Sequence, residues 1–471
     1  MNQNLIRQAG ICLADVLTGT GPADAKLGAY FRENRDLGMK ERGFIAETVY
    51  GILRRKSYLA FVAQTEDPRI LVIAYLVKIL GKNLRDLDGI INDQQIEWLK
   101  AIKAVNTENL SAALTADLPE WLWDKLSEQF GSEEALTIAR SMHQPASLDL
   151  RVNTLKGTRD DVIAQFNKEK GAQKELTEKM EVVATPYSPT GIRMPQKVTI
   201  SKHILFEKGV IEVQDEGSQL LALLVAPKRG EMIADFCAGA GGKTLAIGAL
   251  MRNTGRLYAF DVSEKRLANL SKRLKRSGLS NLQAQLISSE NDPKLKRLNS
   301  KFDRVLVDAP CSGLGTLRRN PDLKWKQMPQ DITELQIKQT NILNRAAKLV
   351  KNGGRLIYAT CSLLRDENEQ ITETFLATNT EYSLVPAHEI LKIQNVPLNT
   401  GDYLKLLPHM HQTDGFFAAV FLKNAGVISE KTMLEAPLLK HSTTEPLSKQ
   451  EIEIAKKAKP KRVTKSKIKP E

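Results

Sequence analysis

Cysteine is scarce in this chain: four residues in 471, with no Cys-x-x-Cys pair and no clustered His/Cys spacing. That scarcity excludes a disulfide framework, fits a reducing compartment, and gives no reason to expect a structural metal site. Histidine is nearly as rare, with six residues, and the one close pair, His409 and His411, reads as part of a solvated loop. No apolar run approaches the roughly 20 residues that span a bilayer, so no membrane association is expected. The first residues, Met1-Asn2-Gln3-Asn4-Leu5-Ile6-Arg7, lack a charged-then-apolar leader, which predicts cytoplasmic residence.

What the chain has in excess is positive charge. The formal net charge is +13, and eight Lys/Arg with no acidic residue fall between Lys456 and Lys469, so the rest of the chain carries only +5. A polyanionic partner, nucleic acid first, is expected; a solubilising tail is the alternative.

Four segments emerge along the sequence. Residues 1–140 read as helical, with Ile45, Val49, Ile52 and Leu53 at helical spacing and further helices near 70–80, 94–105 and 119–130. Residues 141–213 read as a small α+β subdomain, with strands near 148–153, 181–184 and 209–213 and a helix over 158–168. From 214 to 425 the texture is α/β. Apolar runs at 232–235, 257–260, 304–307, 355–358 and 416–422 read as buried strands, with helical stretches between the first four. Gly353-Gly354 is expected to turn the chain into the strand at 355. Residues 426–471 read as a basic, disordered tail.

The chemistry clusters at strand ends, where ligands of open α/β sheets bind. Cys311 stands in Asp308-Ala309-Pro310-Cys311-Ser312-Gly313, and Cys361 in Ala359-Thr360-Cys361-Ser362. Each is either a nucleophile or a small buried apolar residue. The first strand is followed by Asp235-Phe236-Cys237-Ala238-Gly239-Ala240-Gly241-Gly242-Lys243-Thr244. A P-loop would need glycine where Cys237 stands, and the spacing also departs from the dinucleotide fingerprint. What remains is a glycine loop with Asp261 at the end of the second strand, suited to a nucleoside cofactor whose ribose offers two hydroxyls. Asp261 could instead cap the helix that begins near Glu264. Asp366 and Glu369 read as caps of a later helix. Arg318, Arg319, Lys324 and Trp325 make a basic, aromatic segment suited to phosphate contact and base stacking, or else a solvated loop with one packed Trp.

Taken in order, these segments resemble the Sun-type (RsmB-like) RNA cytosine-5 methyltransferases over roughly residues 147–424. Gln214–Gln219 and Asp414-Gly415-Phe416-Phe417 belong to the same ordered set. The helical N-terminal region resembles, more weakly, a NusB-type RNA-binding domain. The resemblance implies a class I, Rossmann-like seven-stranded sheet, S-adenosylmethionine bound by Cys237–Lys243, Asp261 and Asp308, and RNA, 16S rRNA first, as substrate. It implies Cys361 as the nucleophile that adds to cytosine C6, Asp308 as the group bonding N3, and Cys311 as the residue of the release step. A monomer is expected. Two departures stand out. Ala240 occupies a position where the family has Pro, a change expected to loosen the loop. Ser288 and Ser289 stand where an Asp would face adenine, with Ser289 or Glu290 as replacements. A DNA cytosine-5 enzyme would show Pro-Cys-Gln without a Thr-Cys partner, and an amino-group methyltransferase Asp/Asn-Pro-Pro-aromatic. An RNA-binding assembly factor on the same fold and a tRNA cytosine-5 methyltransferase are the remaining alternatives.

Overall fold

In the computed structural model the described residues are 3–83, 85–87, 93–172, 182–194 and 199–424. The basic tail lies outside them. Residues Met1–Ala425 form one compact unit, so the helical, α+β and α/β segments pack directly on one another.

The N-terminal segment is helical because its apolar residues recur at helical spacing and close on a common core. Helices Gln3–Thr18, Met39–Arg54 and Pro68–Lys78 bury Leu13, Val16, Ile45, Val49, Ile52, Leu71 and Leu76 against each other. A later helix pair, Glu120–Phe130 and Ser132–Ser141, packs elsewhere. Leu122, Trp123, Leu126 and Ile138 join Leu314, Leu317, Leu363 and Leu364, which flank the two cysteine segments.

The α+β segment is an antiparallel sheet of β1 (Leu148–Val152), β2 (Val183–Ala184), β3 (Gly191–Met194) and β4 (Ile211–Val213) in the order β2-β3-β1-β4. Helix Arg159–Ala172 covers it, placing Val162 and Phe166 on Leu150, Val152 and Ile192.

The main sheet contains β5 (Met232–Asp235), β6 (Arg256–Asp261), β7 (Leu282–Leu286), β8 (Phe302–Asp308), β9 (Val350–Thr360), β10 (Tyr382–Val385), β11 (Leu404–Leu406) and β12 (Phe416–Lys423). Its order is β10-β12-β9-β8-β5-β6-β7, seven strands, with β11 paired to β12. Strands β5 to β9 run parallel, whereas β10, β11 and β12 pair antiparallel. Both faces are covered over the central strands β5, β8 and β9, which is why their apolar runs are continuous, whereas the edge strand β7 is largely exposed and carries Gln283 and Gln285. Ile233, Leu306 and Ile357 enter one core, while their neighbours Ala234, Val305, Val307, Leu356 and Tyr358 enter the other. From β5 the chain builds outward through β6 and β7, then crosses back to β8 and β9. The crevice between β5 and β8 is therefore the topological switch point.

Three local expectations differ from the structure. The glycine pair lies inside β9, which starts at Val350, with Gly353 at φ +73° and a register irregularity against Phe302–Arg304. Asp366 does not cap its helix but pairs with Lys125 at 2.7 Å. His409 and His411 sit in a short helix, Pro408–His411, where His409 meets Glu134 at 2.7 Å. No helix among the described residues is long and apolar enough to cross a membrane.

Candidate active site

The glycine loop is held in shape by its surroundings. Gly239 and Gly241 take φ of +55° and +81°, and a Cβ on Gly241 would lie 2.0 Å from Leu270. Both conformation and space therefore demand glycine at 241. Asp235, buried at the end of β5, accepts a 2.6 Å hydrogen bond from Thr244, and burial pushes its carboxyl up to about 7. Where proline was expected, the Ala240 carbonyl accepts from Arg273 at 2.9 Å, and the Gly242 carbonyl accepts from Arg151 at 2.7 Å. Arg273 is anchored in turn by Glu212 of β4, at 3.0 Å. Two arginines thus restrain the loop from outside, and the small antiparallel sheet becomes its support. Neither arginine carried a motif that marked it in the sequence.

Asp261 ends β6 with both oxygens in use. Oδ2 accepts from the Gly239 N–H at 2.8 Å and Oδ1 from the Ser263 N–H at 2.7 Å. Ser263, not Asp261, caps helix Glu264–Ser277. The carboxylate lines a cleft of about 1120 Å³, together with Cys237, Ala238, Gly239, Ala240, Gly242, Lys243 and Asp308, whereas Gly241 faces Leu270 and does not line it. Ser288, Ser289 and Glu290 line the same cleft beside Ile287. Ser288 is committed to Asp292, which accepts from its N–H at 2.9 Å and its hydroxyl at 3.1 Å. A nucleoside cofactor fits this lining: each Asp261 oxygen keeps a free lone pair for a ribose hydroxyl, and Ile287 offers an apolar wall. Asp261→Ala removes both a carboxylate of the cleft wall and the tether on Gly239. We expect it to weaken cofactor binding at least tenfold by calorimetry, since a hydrogen bond to a charged group is worth about 1.5–3 kcal/mol.

The other end of the cleft holds the cysteines. Strands β8 and β9 run side by side up to the pair Asp308 and Ala359, and the Ala309 N–H reaches the Ala359 carbonyl at 2.8 Å. The loops beyond therefore emerge together, with Cys311 Sγ 3.3 Å from Cys361 Sγ and also 3.3 Å from the Cys361 N–H. The hydrogen bond with Cys361, and then burial, push the Cys311 thiol well up. Lys243 donates to Asp308 at 2.7 Å; burial would lower its ammonium, but Asp308 outweighs that and the net shift is upward. Cys237, inside the glycine loop, is also pushed well up, chiefly by burial. Gly315 passes so close to Gly415 that a Cβ would lie 2.2 Å from its carbonyl oxygen, and its N–H donates to the Cys361 carbonyl at 2.8 Å. Glu367, which the sequence reading passed over between Asp366 and Glu369, is fully buried behind both cysteine loops.

The basic segment packs differently from the expectation. Lys324 is 4% exposed and donates to the Arg54 carbonyl at 2.9 Å and the Asp117 carbonyl at 2.5 Å. Burial brings its ammonium down to about 8. Trp325 donates from its indole to the Leu53 carbonyl at 2.7 Å and packs on the N-terminal core. Both hold the helical segment; Lys324 is buried away from RNA, whereas Trp325 keeps part of its ring exposed. Arg319 lines the cleft, fixed by Asp414 at 2.6 Å and Asp215 at 2.8 Å, while Arg318 donates to the Thr413 carbonyl at 3.1 Å. Trp325→Ala should destabilise the protein by about 3 kcal/mol, the low end for Trp truncation because the ring is half-buried. A thermal melt would read this as a fall of several degrees.

Comparison with known proteins agrees with this geometry. A family model for 16S rRNA methyltransferase RsmB/F matches residues 222–422, and one for an RsmF/B-like ferredoxin-like domain matches residues 118–201. A probable ribosomal RNA small subunit methyltransferase B of Synechocystis sp. is 32% identical over 82% of this chain and 92% of its own length. Its counterpart in Bacillus subtilis is 29% identical over 82% and 91%. The crystal structure of PH0851 superposes with a TM-score of 0.71 at 25% identity, covering 89% of this chain and 99% of that one. This extent of likeness establishes that the chain belongs to the RsmB/F family of S-adenosylmethionine-dependent rRNA methyltransferases.

Proposed function

We propose that the protein methylates carbon C5 of cytosine in 16S rRNA through a covalent bond between Cys361 and C6 of the base. The observation that carries this reading is the pair of thiols 3.3 Å apart at neighbouring strand ends, beside the Lys243–Asp308 pair. C5 of cytosine is a poor nucleophile until another nucleophile has added at C6. Cys361, as thiolate, forms the Sγ–C6 bond, and the C5=C6 electron pair moves toward C5 and the N3–O2 edge. Asp308 bonds that edge, and the Lys243 ammonium offsets the charge that develops there. S-adenosylmethionine, when bound, supplies the electrophilic methyl group for C5. The C5 proton then leaves to water in the open cleft, its bonding pair re-forms C5=C6, and the C6–Sγ pair departs on Cys361. Cys311, kept protonated, stabilises that departing thiolate with its S–H. Of the basic segment, Arg319 on the cleft wall and Arg318 beside it are left to meet the RNA.

The test is the identity of the product. Ribosomal RNA incubated with the protein and labelled cofactor, then digested to nucleosides, should carry the label in 5-methylcytidine. Label in N4-methylcytidine or a 2′-O-methyl nucleoside would overturn the proposal.

A further inference from the structure

The sheet ladder that aligns the two cysteine segments stops before it reaches the thiols. The last paired residues are Asp308 and Ala359, three and two positions short of Cys311 and Cys361. Beyond the ladder the Gly315 N–H still reaches the Cys361 carbonyl at 2.8 Å, and a single buried carboxylate ties the residues next to the thiols. Glu367, with no exposed surface, accepts from the Ser312 N–H at 2.8 Å and the Ser312 hydroxyl at 2.5 Å. It also accepts a short hydrogen bond from the Ser362 hydroxyl. Ser312 and Ser362 are the residues directly after the two cysteines, and their hydroxyls are themselves 3.2 Å apart.

The carboxylate is in turn gripped from behind. Gln339, on helix Pro329–Ala347, donates to Glu367 at 3.0 Å and to the Pro310 carbonyl at 3.0 Å. The Glu367 carbonyl accepts from the Tyr358 hydroxyl at 2.6 Å. A buried carboxylate is tolerated only when its lone pairs are satisfied, and here four donors satisfy it. Hydrogen bonds to an ionised acceptor are shorter and stronger than neutral ones, so the clamp is stiff. Its charge also adds to the forces that keep Cys311 protonated, after the hydrogen bond with Cys361 and burial.

We propose that Glu367 is a positioning residue: by bonding Ser312 and Ser362 it fixes the Cys311–Cys361 separation and thereby controls release of the covalent adduct. This rests on the division of labour between the two cysteines proposed above. Release breaks the C6–Sγ bond and returns its electron pair to Cys361 while the C5 proton goes to water. The S–H of Cys311 helps only if it stays within reach of that sulfur.

Glu367→Gln removes the charge, whereas the double variant Ser312→Ala/Ser362→Ala keeps the charge and the Ser312 N–H bond but removes both hydroxyl links, with less effect on packing. Both should lower kcat by about 10- to 100-fold, the scale of a small misplacement of reacting groups, with KM little changed. Both should also accumulate a protein–RNA adduct on a denaturing gel although Cys311 is present. A clamp serving only the fold would lower the melting temperature without raising the adduct fraction. Wild-type kcat, or lost activity with no adduct, in these variants overturns the inference. Cys311→Ala is run beside them. If it accumulates adduct and the clamp variants do not, the clamp alone is wrong; if it too gives none, the release reading falls and the clamp with it.

Discussion

Cys361→Ala should abolish methyl transfer. With labelled S-adenosylmethionine and ribosomal RNA, turnover should fall by more than about 10⁴-fold, the order seen when a covalent nucleophile is deleted. Electrostatic help from Lys243 and Asp308 remains in the variant, but it acts on a charge that develops only after sulfur has added at C6. The change should leave the fold in place, because alanine differs from cysteine by one atom and the loop is held by its neighbours' hydrogen bonds. The Cys361 carbonyl still accepts from Gly315, and Ser362 still meets Glu367. A normal melting temperature with lost turnover is therefore the expected pair of results. Residual activity within tenfold of the parent protein would exclude Cys361 as the nucleophile.

Cys311→Ala fails differently. Under the proposed mechanism attack and methyl transfer should proceed, because Cys361, Lys243 and Asp308 are intact, while the departing thiolate should lose the help of the thiol whose Sγ lies 3.3 Å away. The intermediate should persist as a protein–RNA band that survives denaturation, while multiple turnover drops by about 10²-fold or more, as for a lost hydrogen bond to a developing anion. The contrast is more informative than either result alone: one variant is silent, the other is trapped. An adduct in Cys361→Ala, with none in Cys311→Ala, would show the roles to be exchanged.

Both cysteines, Asp308 and the glycine loop were legible because they lie in contiguous motifs at strand ends, and parallel strands announce themselves as short apolar runs. The sheet follows from the same runs, since alternate residues of each feed opposite cores. What stayed hidden depends on residues far apart in sequence. Arg151 and Arg273 reach the loop from β1 and from the helix after β6, at separations of 91 and 33 residues. Glu367 sits between two acids that looked like helix caps, and its two serine partners are 50 residues apart. Lys324 and Trp325 have the composition of a nucleic-acid surface, yet composition does not distinguish a solvated lysine from one that two carbonyls hold in an interface. Their placement follows from contacts of Leu53, Arg54 and Asp117 with the segment after Cys311, partners more than 200 positions away.

The central claim is that a covalent bond forms between Cys361 and the base. RNA carrying 5-fluorocytidine tests it directly on the unmodified protein, because fluorine cannot leave C5 as a proton does and the adduct cannot resolve. Incubation with this RNA and S-adenosylmethionine, proteolysis and peptide mapping should place the nucleotide on the peptide that contains Cys361. A nucleotide on the Cys311 peptide, or no stable adduct at all, would contradict the account.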